Sequence, residues 1–218
     1  MSTVDDVYAH RFSDAEAIEK HALWGVLGRY LQRYVPDGAV VLDLACDRGY
    51  FIEHIQARER WASDLRDMAG NLSSDVTFIK SNGLTLDQVL PLGTFDVVFT
   101  SNYLEHLASG DDVVSQLRVV ARLLRPGGVA IILQPNIRLL GGAYWDFIDH
   151  KVALTHVSLA EAAELSGLET VRVIKRFLPY TTKGRLPVRP ALVRAYLAFR
   201  PAWYLFGKQT LYIARRPK

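Results

Sequence analysis

The run Val40-Val41-Leu42-Asp43-Leu44 is followed by the small-residue turn Ala45-Cys46-Asp47-Arg48-Gly49 and then by Tyr50-Phe51. A continuous apolar run broken by one acid is what a strand buried on both faces of a parallel sheet requires. Parallel strands need crossover connections and further strands beside them, so this feature points to an α/β fold. The rest of the chain supplies the parts. Short strands are expected at Arg60–Ser63, ending at Asp64, and at Val76–Lys80; Phe95–Thr100 and Val129–Leu133 read as central strands, and 169–177 and 209–215 as later ones. Residues 14–34 place Ile18, Ala22, Val26 and Tyr30 four apart, as on one helix face, and a second helix is expected from the turn to about Arg58. Asp111–Leu124 puts Val114, Leu117, Val120, Ala121 and Leu124 on one face and stops at Arg125-Pro126-Gly127-Gly128. Leu159–Ser166 reads as a helix capped by Ser158, with Glu161 completing a capping box and Gly167 ending it. Strands alternating with helices predict a parallel, doubly wound sheet.

Ligands of such sheets sit beyond the carboxyl ends of the strands. That directs attention to Ala45–Gly49, Asp64, Ser81–Gly83, Thr100–His106 and Gln134–Arg138. A dinucleotide needs G-x-G-x-x-G and a phosphate approach free of negative charge. Here Ala45 and Asp47 fill the first two glycine positions and Tyr50 stands where the last would be. A carboxylate facing a phosphate at about 4 Å costs roughly 4 kcal/mol at an effective dielectric near 20, which disfavours NAD. S-adenosylmethionine has no phosphate and carries a sulfonium and an ammonium, so Asp43 and Asp47 suit it. Asp64 can accept its ribose hydroxyls, and Asn82-Gly83 can offer an amide to adenine. Alanine fits the loop if its φ stays negative, and Asp47 tolerates a positive φ.

The segments VVLDLACDRGYF, ASDL, FIKSNGL, FDVVFTSNYLEHL and LLRPGGVAIILQPN, in that order, resemble the class I S-adenosylmethionine-dependent methyltransferases over about residues 40–136. The resemblance is closest to small-molecule members. The segments GGAYWDFIDH and RFLPYTTKGRLP also look like a bacterial subgroup associated with cell-surface glycan or lipid loci. It implies a Rossmann-like fold: a mostly parallel seven-stranded sheet with an antiparallel last strand. One domain then spans 1–218, with an N-terminal helix and lid over 1–36, a cofactor-binding core over 37–136 and substrate-cap elements at about 138–157 and 178–208. Cofactor contacts are implied at Asp43, Ala45, Asp47, Gly49, Asp64, Leu65, Asn82, Gly83, Ser101, Asn102 and Tyr103, and Arg11 is a candidate lid residue near the methionine carboxylate. The departures from the family pattern are Ala45 and Asp47 for glycines, and Asn82 where aspartate is commoner.

Methyl transfer to a hydroxyl needs a positioned acceptor and removal of its proton. His106, directly after the fourth strand, and His150, after the fifth, are the candidate bases; Asp149 or Asp146 is expected to orient the His150 ring. Tyr144 and Trp145 would form an apolar wall, with Tyr180, Lys183 and Arg185 beside an anionic acceptor. The acceptor class read here is a small molecule or a lipid-linked glycan. Nucleic acid fits less well, because Ser101-Asn102-Tyr103-Leu104 lacks the prolines of base-amine methyltransferases. A non-catalytic protein that binds S-adenosylmethionine or lipid is the other reading. No metal centre is expected.

Net charge is −9 up to Glu169 and +12 beyond it. The basic segment, with Arg194 and Arg200 among the aromatics of 191–206, suits peripheral contact with an anionic membrane; a cap or homodimer surface is the alternative. The single cysteine, Cys46, excludes an internal disulfide and a multi-cysteine zinc site. With no signal-like N-terminus and no long apolar run, the expected place is the cytoplasm, peripherally at the inner membrane surface.

Overall fold

The computed structural model describes residues 14–180 and 189–218. Its centre is a seven-stranded sheet built from β1 (Val40–Leu44), β2 (Glu59–Asp64), β3 (Val76–Lys80), β4 (Phe95–Ser101), β5 (Leu124–Pro135), β6 (Glu169–Leu178) and β7 (Gln209–Arg215). The spatial order is β3-β2-β1-β4-β5-β7-β6. The first five strands pair in parallel, and β7 runs antiparallel between β5 and β6. The expected Rossmann-like sheet and its antiparallel last strand are both present. Its switch point lies between β1 and β4, so the loops after those strands open onto one crevice.

Each face of the sheet carries its own core. Val40, Leu42 and Leu44 join Leu117, Val120 and Leu123 of α2 (Gly110–Leu123) and, beyond the single turn α3 (Ile137–Leu140), Leu159 and Ala163 of α4 (His156–Leu165). Val41 faces the other way, with Val26, Leu27 and Leu31 of α1 (Asp14–Leu31) and with Leu197 and Trp203 of α5 (Pro190–Ala198) and α6 (Pro201–Phe206). Alternate strand residues thus feed opposite layers, as the pleat demands. Each fully buried leucine contributes roughly 1.5–3 kcal/mol.

Four local expectations are corrected. The buried stripe of α1 is Val26, Leu27, Tyr30 and Leu31, while Ile18 and Ala22 are exposed. The periodicity is real, but among the described side chains of the helix those buried against the sheet start at Val26. No α-helix follows β1: the connection holds one 3-10 turn, Ile52–His54. The chain must cross to β2 within the residues from Ala45 to Arg58, which leaves little length for a helix after the loop is built. The cap of α4 is Thr155, three residues before the expected Ser158. Thr155 accepts from the Val157 and Ser158 amides, and the Ser158 hydroxyl accepts from the Thr155 amide, so the serine closes the capping box itself. Finally, α2 ends at Leu123 and β5 starts at once, with the Arg125–Gly128 turn drawn into the strand. A Cβ on Gly128 would stand 2.9 Å from the carbonyls of Arg125 and Phe95, so the strand passes there only as glycine.

Among the described residues, no helix is long and apolar enough to cross a membrane.

Candidate functional site

The turn after β1 adopts the glycine-type backbone despite its missing glycines. Ala45 has φ 56°, Asp47 φ 50° and Gly49 φ 72°. The negative φ that would have suited alanine is therefore not adopted. Asp47 does adopt the left-handed conformation, and the loop keeps its shape at a cost of roughly 1–2 kcal/mol at Ala45. At Gly49 a Cβ would lie 2.1 Å from the Leu72 side chain. Here glycine is required twice over.

The acids of this loop are held in a way the sequence did not disclose. Asp43 is buried beneath the turn and accepts from the Ile52 amide at 3.3 Å. Burial pushes its carboxyl well above the usual carboxylate range, and Asp64 and Asp47 add to the effect. From there it props the turn. Asp64 accepts from the Asp47 amide at 3.0 Å and from the backbone and side chain of Arg66. Arg66 also reaches Asp47 at 2.8 Å. Two expected cofactor acids are thus joined through a guanidinium, and Arg66 is a site residue that sequence reasoning passed over. Its signal was a basic residue two positions after the acid that ends the second strand.

Other cofactor positions gather on the same crevice. Leu65 is 59% exposed immediately after β2, an apolar surface beside Asp64. Asn82 caps the 3-10 turn Gly83–Gln88 through its side-chain oxygen, at 3.0 Å from the Leu84 amide. Gln116 ties this turn to β4: its amide donates to the Gly83 carbonyl at 3.1 Å, and its oxygen accepts from the Tyr103 hydroxyl at 2.9 Å. A Cβ at Gly83 would collide with both groups, at 2.5 and 2.6 Å. Asn102 has φ 49° and donates to the Ser101 hydroxyl at 2.9 Å. Arg11 lies outside the described residues.

A second cluster stands at the ends of β4 and β5. Glu105 is 1% exposed; one of its oxygens accepts from Gln134 at 3.0 Å. Its backbone carbonyl takes the Lys151 and Val152 amides, fastening the loop after β5 to β4. That loop brings His150 within 5.1 Å of His106, ring centre to ring centre. Of the two acids expected to orient His150, Asp146 and Asp149, the second meets His106, whose Nδ1 lies 3.0 Å from its carbonyl and 3.3 Å from its carboxylate. His150 is oriented by the Tyr144 carbonyl, 2.7 Å from its own Nδ1, and faces the Tyr180 hydroxyl at 3.4 Å. Tyr144 itself is fully buried, its ring under His150 and its hydroxyl on the Val152 carbonyl. It is a foundation rather than an exposed wall, while Trp145 is 49% exposed. Lys183 and Arg185 lie outside the described residues.

A family model described as a methyltransferase domain matches residues 19–173. The chain belongs to this methyltransferase family. Solved structures of similar fold include a chain of the complex between the Haloferax volcanii Trm112 methyltransferase activator and a methyltransferase. That chain has a TM-score of 0.65 and 19% identity, over 89% of this chain and 90% of that one. A S-adenosylmethionine-dependent methyltransferase from Archaeoglobus fulgidus has a TM-score of 0.61 and 20% identity, over 88% and 94%. One from Mesorhizobium loti has 0.60 and 20%, over 86% and 96%. No curated protein matches.

As a class I methyltransferase, the protein takes S-adenosylmethionine as its methyl donor. The donor set of the crevice fits that molecule. No α-helix begins at the β1 turn, so the positive helix end that a phosphate requires is missing. Asp47 and Asp64 outnumber Arg66 in charge and leave the crevice favourable to a cation.

Proposed function

We propose that this methyltransferase O-methylates a hydroxyl on a small-molecule or lipid-linked glycan acceptor. The observation that carries this reading is the Glu105–His106–His150 cluster, which lies at the carboxyl ends of β4 and β5 beside Tyr180 and Trp145. Bound S-adenosylmethionine supplies a methyl group on a sulfonium, open to in-line attack. Asp47, Gly49, Asp64, Leu65 and Gly83 are the groups that would hold it. Their placement leaves the protein two tasks: to position the acceptor oxygen and to help it lose its proton.

The cluster suits the second task. Each histidine has its Nδ1 against a backbone carbonyl, which can only accept. Both rings therefore carry a proton on Nδ1 and leave Nε2 as the basic atom: that of His106 lies 3.9 Å from Glu105 Oε1, and that of His150 faces the Tyr180 hydroxyl at 3.4 Å. Trp145, packed on Tyr144, offers an exposed apolar face, and Tyr180 sets its hydroxyl on His150 with its ring against Phe147, a combination suited to a sugar or a small ring. His106→Ala and His150→Ala are each expected to lower turnover about 10²–10⁴-fold while S-adenosylmethionine affinity by calorimetry stays within a few-fold of wild type. The assay uses labelled methyl donor with hydroxylated small molecules and a glycolipid extract as acceptors. Near-normal turnover in both variants would remove the histidines from the reaction.

The site of action we propose is the cytoplasmic face of a membrane. Leu192 on α5, Phe199 in the link to α6, and Tyr204, Leu205 and Phe206 on α6 are exposed, as are Arg194 and Arg200. Apolar and basic groups on one surface suit an anionic bilayer. Flotation with vesicles containing anionic lipid should carry the wild type, and Phe199→Ser with Leu205→Ser should abolish it. Concentration-dependent dimerisation without flotation would assign the patch to a second copy instead.

A further inference from the structure

Glu105, His106 and His150 can each present one ligand atom such that all three atoms lie within 4.8 Å of one another. We infer that this cluster is a binding site for a divalent transition-metal ion of the zinc class, held by one carboxylate oxygen and two imidazole nitrogens.

The first argument is the state of the rings. A carbonyl beside Nδ1 fixes the tautomer, as shown above, so each Nε2 carries the lone pair that a metal ligand needs. Metal-binding histidines almost always donate their other ring N–H to a carbonyl or carboxylate. Here His106 Nδ1 does so to Asp149 and His150 Nδ1 to the Tyr144 carbonyl, at 3.0 and 2.7 Å. The carboxylate is oriented in the same manner, by the Gln134 amide on one oxygen. All three side chains therefore have the supporting contacts that a metal centre uses.

The second argument is an unmet demand. The other Glu105 oxygen, Oε1, is buried and has no hydrogen-bond partner among the described residues. It lies 3.9 Å from His106 Nε2, where an acceptor meets an acceptor. A buried carboxylate oxygen left so is costly, and a cation between the two atoms would satisfy both. Ligands about 2.1 Å from zinc stand roughly 3.4 Å apart, so this pair needs to close by only about half an ångström.

The donor set chooses the ion. Calcium and magnesium favour oxygen ligands throughout, whereas two imidazoles and a carboxylate suit zinc or its first-row neighbours and leave a position open. The Tyr180 hydroxyl, 3.4 Å from His150 Nε2, borders the cluster, where an acceptor hydroxyl could coordinate and become more acidic. The histidines would then act through the metal. This catalytic role rests on the hydroxyl-methylation reading; the binding of the cation does not.

The test uses tag-free, full-length protein stripped with chelator and then titrated with Zn²⁺ by calorimetry and with Co²⁺ by visible absorption. One equivalent per chain and a nitrogen-ligated Co²⁺ spectrum are expected. Glu105→Gln, which keeps the side-chain shape, and His150→Ala should each weaken Zn²⁺ at least tenfold, and His156→Ala should bind as wild type. Zn²⁺ should also raise the melting temperature of the wild type and not that of Glu105→Gln, a readout that reports folding at the same time. The proposal is overturned if the wild type takes up no zinc, or if Glu105→Gln binds it as tightly. Stoichiometric zinc with no methylation of any hydroxyl would instead overturn the acceptor reading and leave the metal site standing.

Discussion

Ala45 holds a backbone conformation that favours glycine, at φ 56°. Replacing it by glycine removes about 1–2 kcal/mol of left-handed strain and gives back about 0.4–1 kcal/mol in unfolded-chain entropy. Ala45→Gly should therefore stabilise the protein by about 0.5 kcal/mol in urea denaturation. Asp43 makes a different prediction. Its folded carboxyl is raised by burial, so below the unfolded value of about 3.9 both states hold the proton and nothing is lost. As pH rises past that point the unfolded chain releases its proton first, and stability falls until the folded group ionises as well. Asp43→Asn should abolish this decline, and its advantage over wild type should grow from pH 4 upward in thermal melts. A wild type whose stability rises steadily across that window would contradict the buried, raised carboxyl.

At the scale of elements, the crevice depends on connections that are not helices. The β1 turn, with only a 3-10 turn behind it, lacks a phosphate cradle. Calorimetry should detect S-adenosylmethionine and no NAD. Arg66 binds the β1 turn to the end of β2 by bridging Asp47 and Asp64. Ribose hydroxyls bound at Asp64 would compete with Arg66 for the same oxygens. Arg66→Gln should thus tighten S-adenosylmethionine by up to about 1 kcal/mol, the scale of a partly exposed ion pair. Weaker binding would show that the bridge shapes the turn for its ligand. The expected helix after β1 was misread because an amphipathic stretch carries no information about the span it must cross.

Across the whole molecule, the basic C-terminal part is fastened to the acidic body by aromatic packing. Trp203 is buried against Tyr30 and Phe177, and its ring N–H donates to the Tyr196 carbonyl at 2.8 Å. Trp203→Ala should cost about 3–5 kcal/mol, read as a lower urea midpoint. The strands were legible in the sequence, because apolar runs, turn residues and hydrophobic periodicity are local signals, and the family resemblance implied the mostly parallel seven-stranded sheet with its antiparallel last strand. VVLDL announced a buried parallel strand by itself, and five ordered motifs identified the family. Partners distant in the chain were not legible. Arg66 could be placed on Asp47, Asp149 on His106 rather than His150, and Gln134 on Glu105 only when the sheet brought those strand ends together. Side-chain pairing is decided by distance in space, and spacing along a chain that crosses over between strands does not report it.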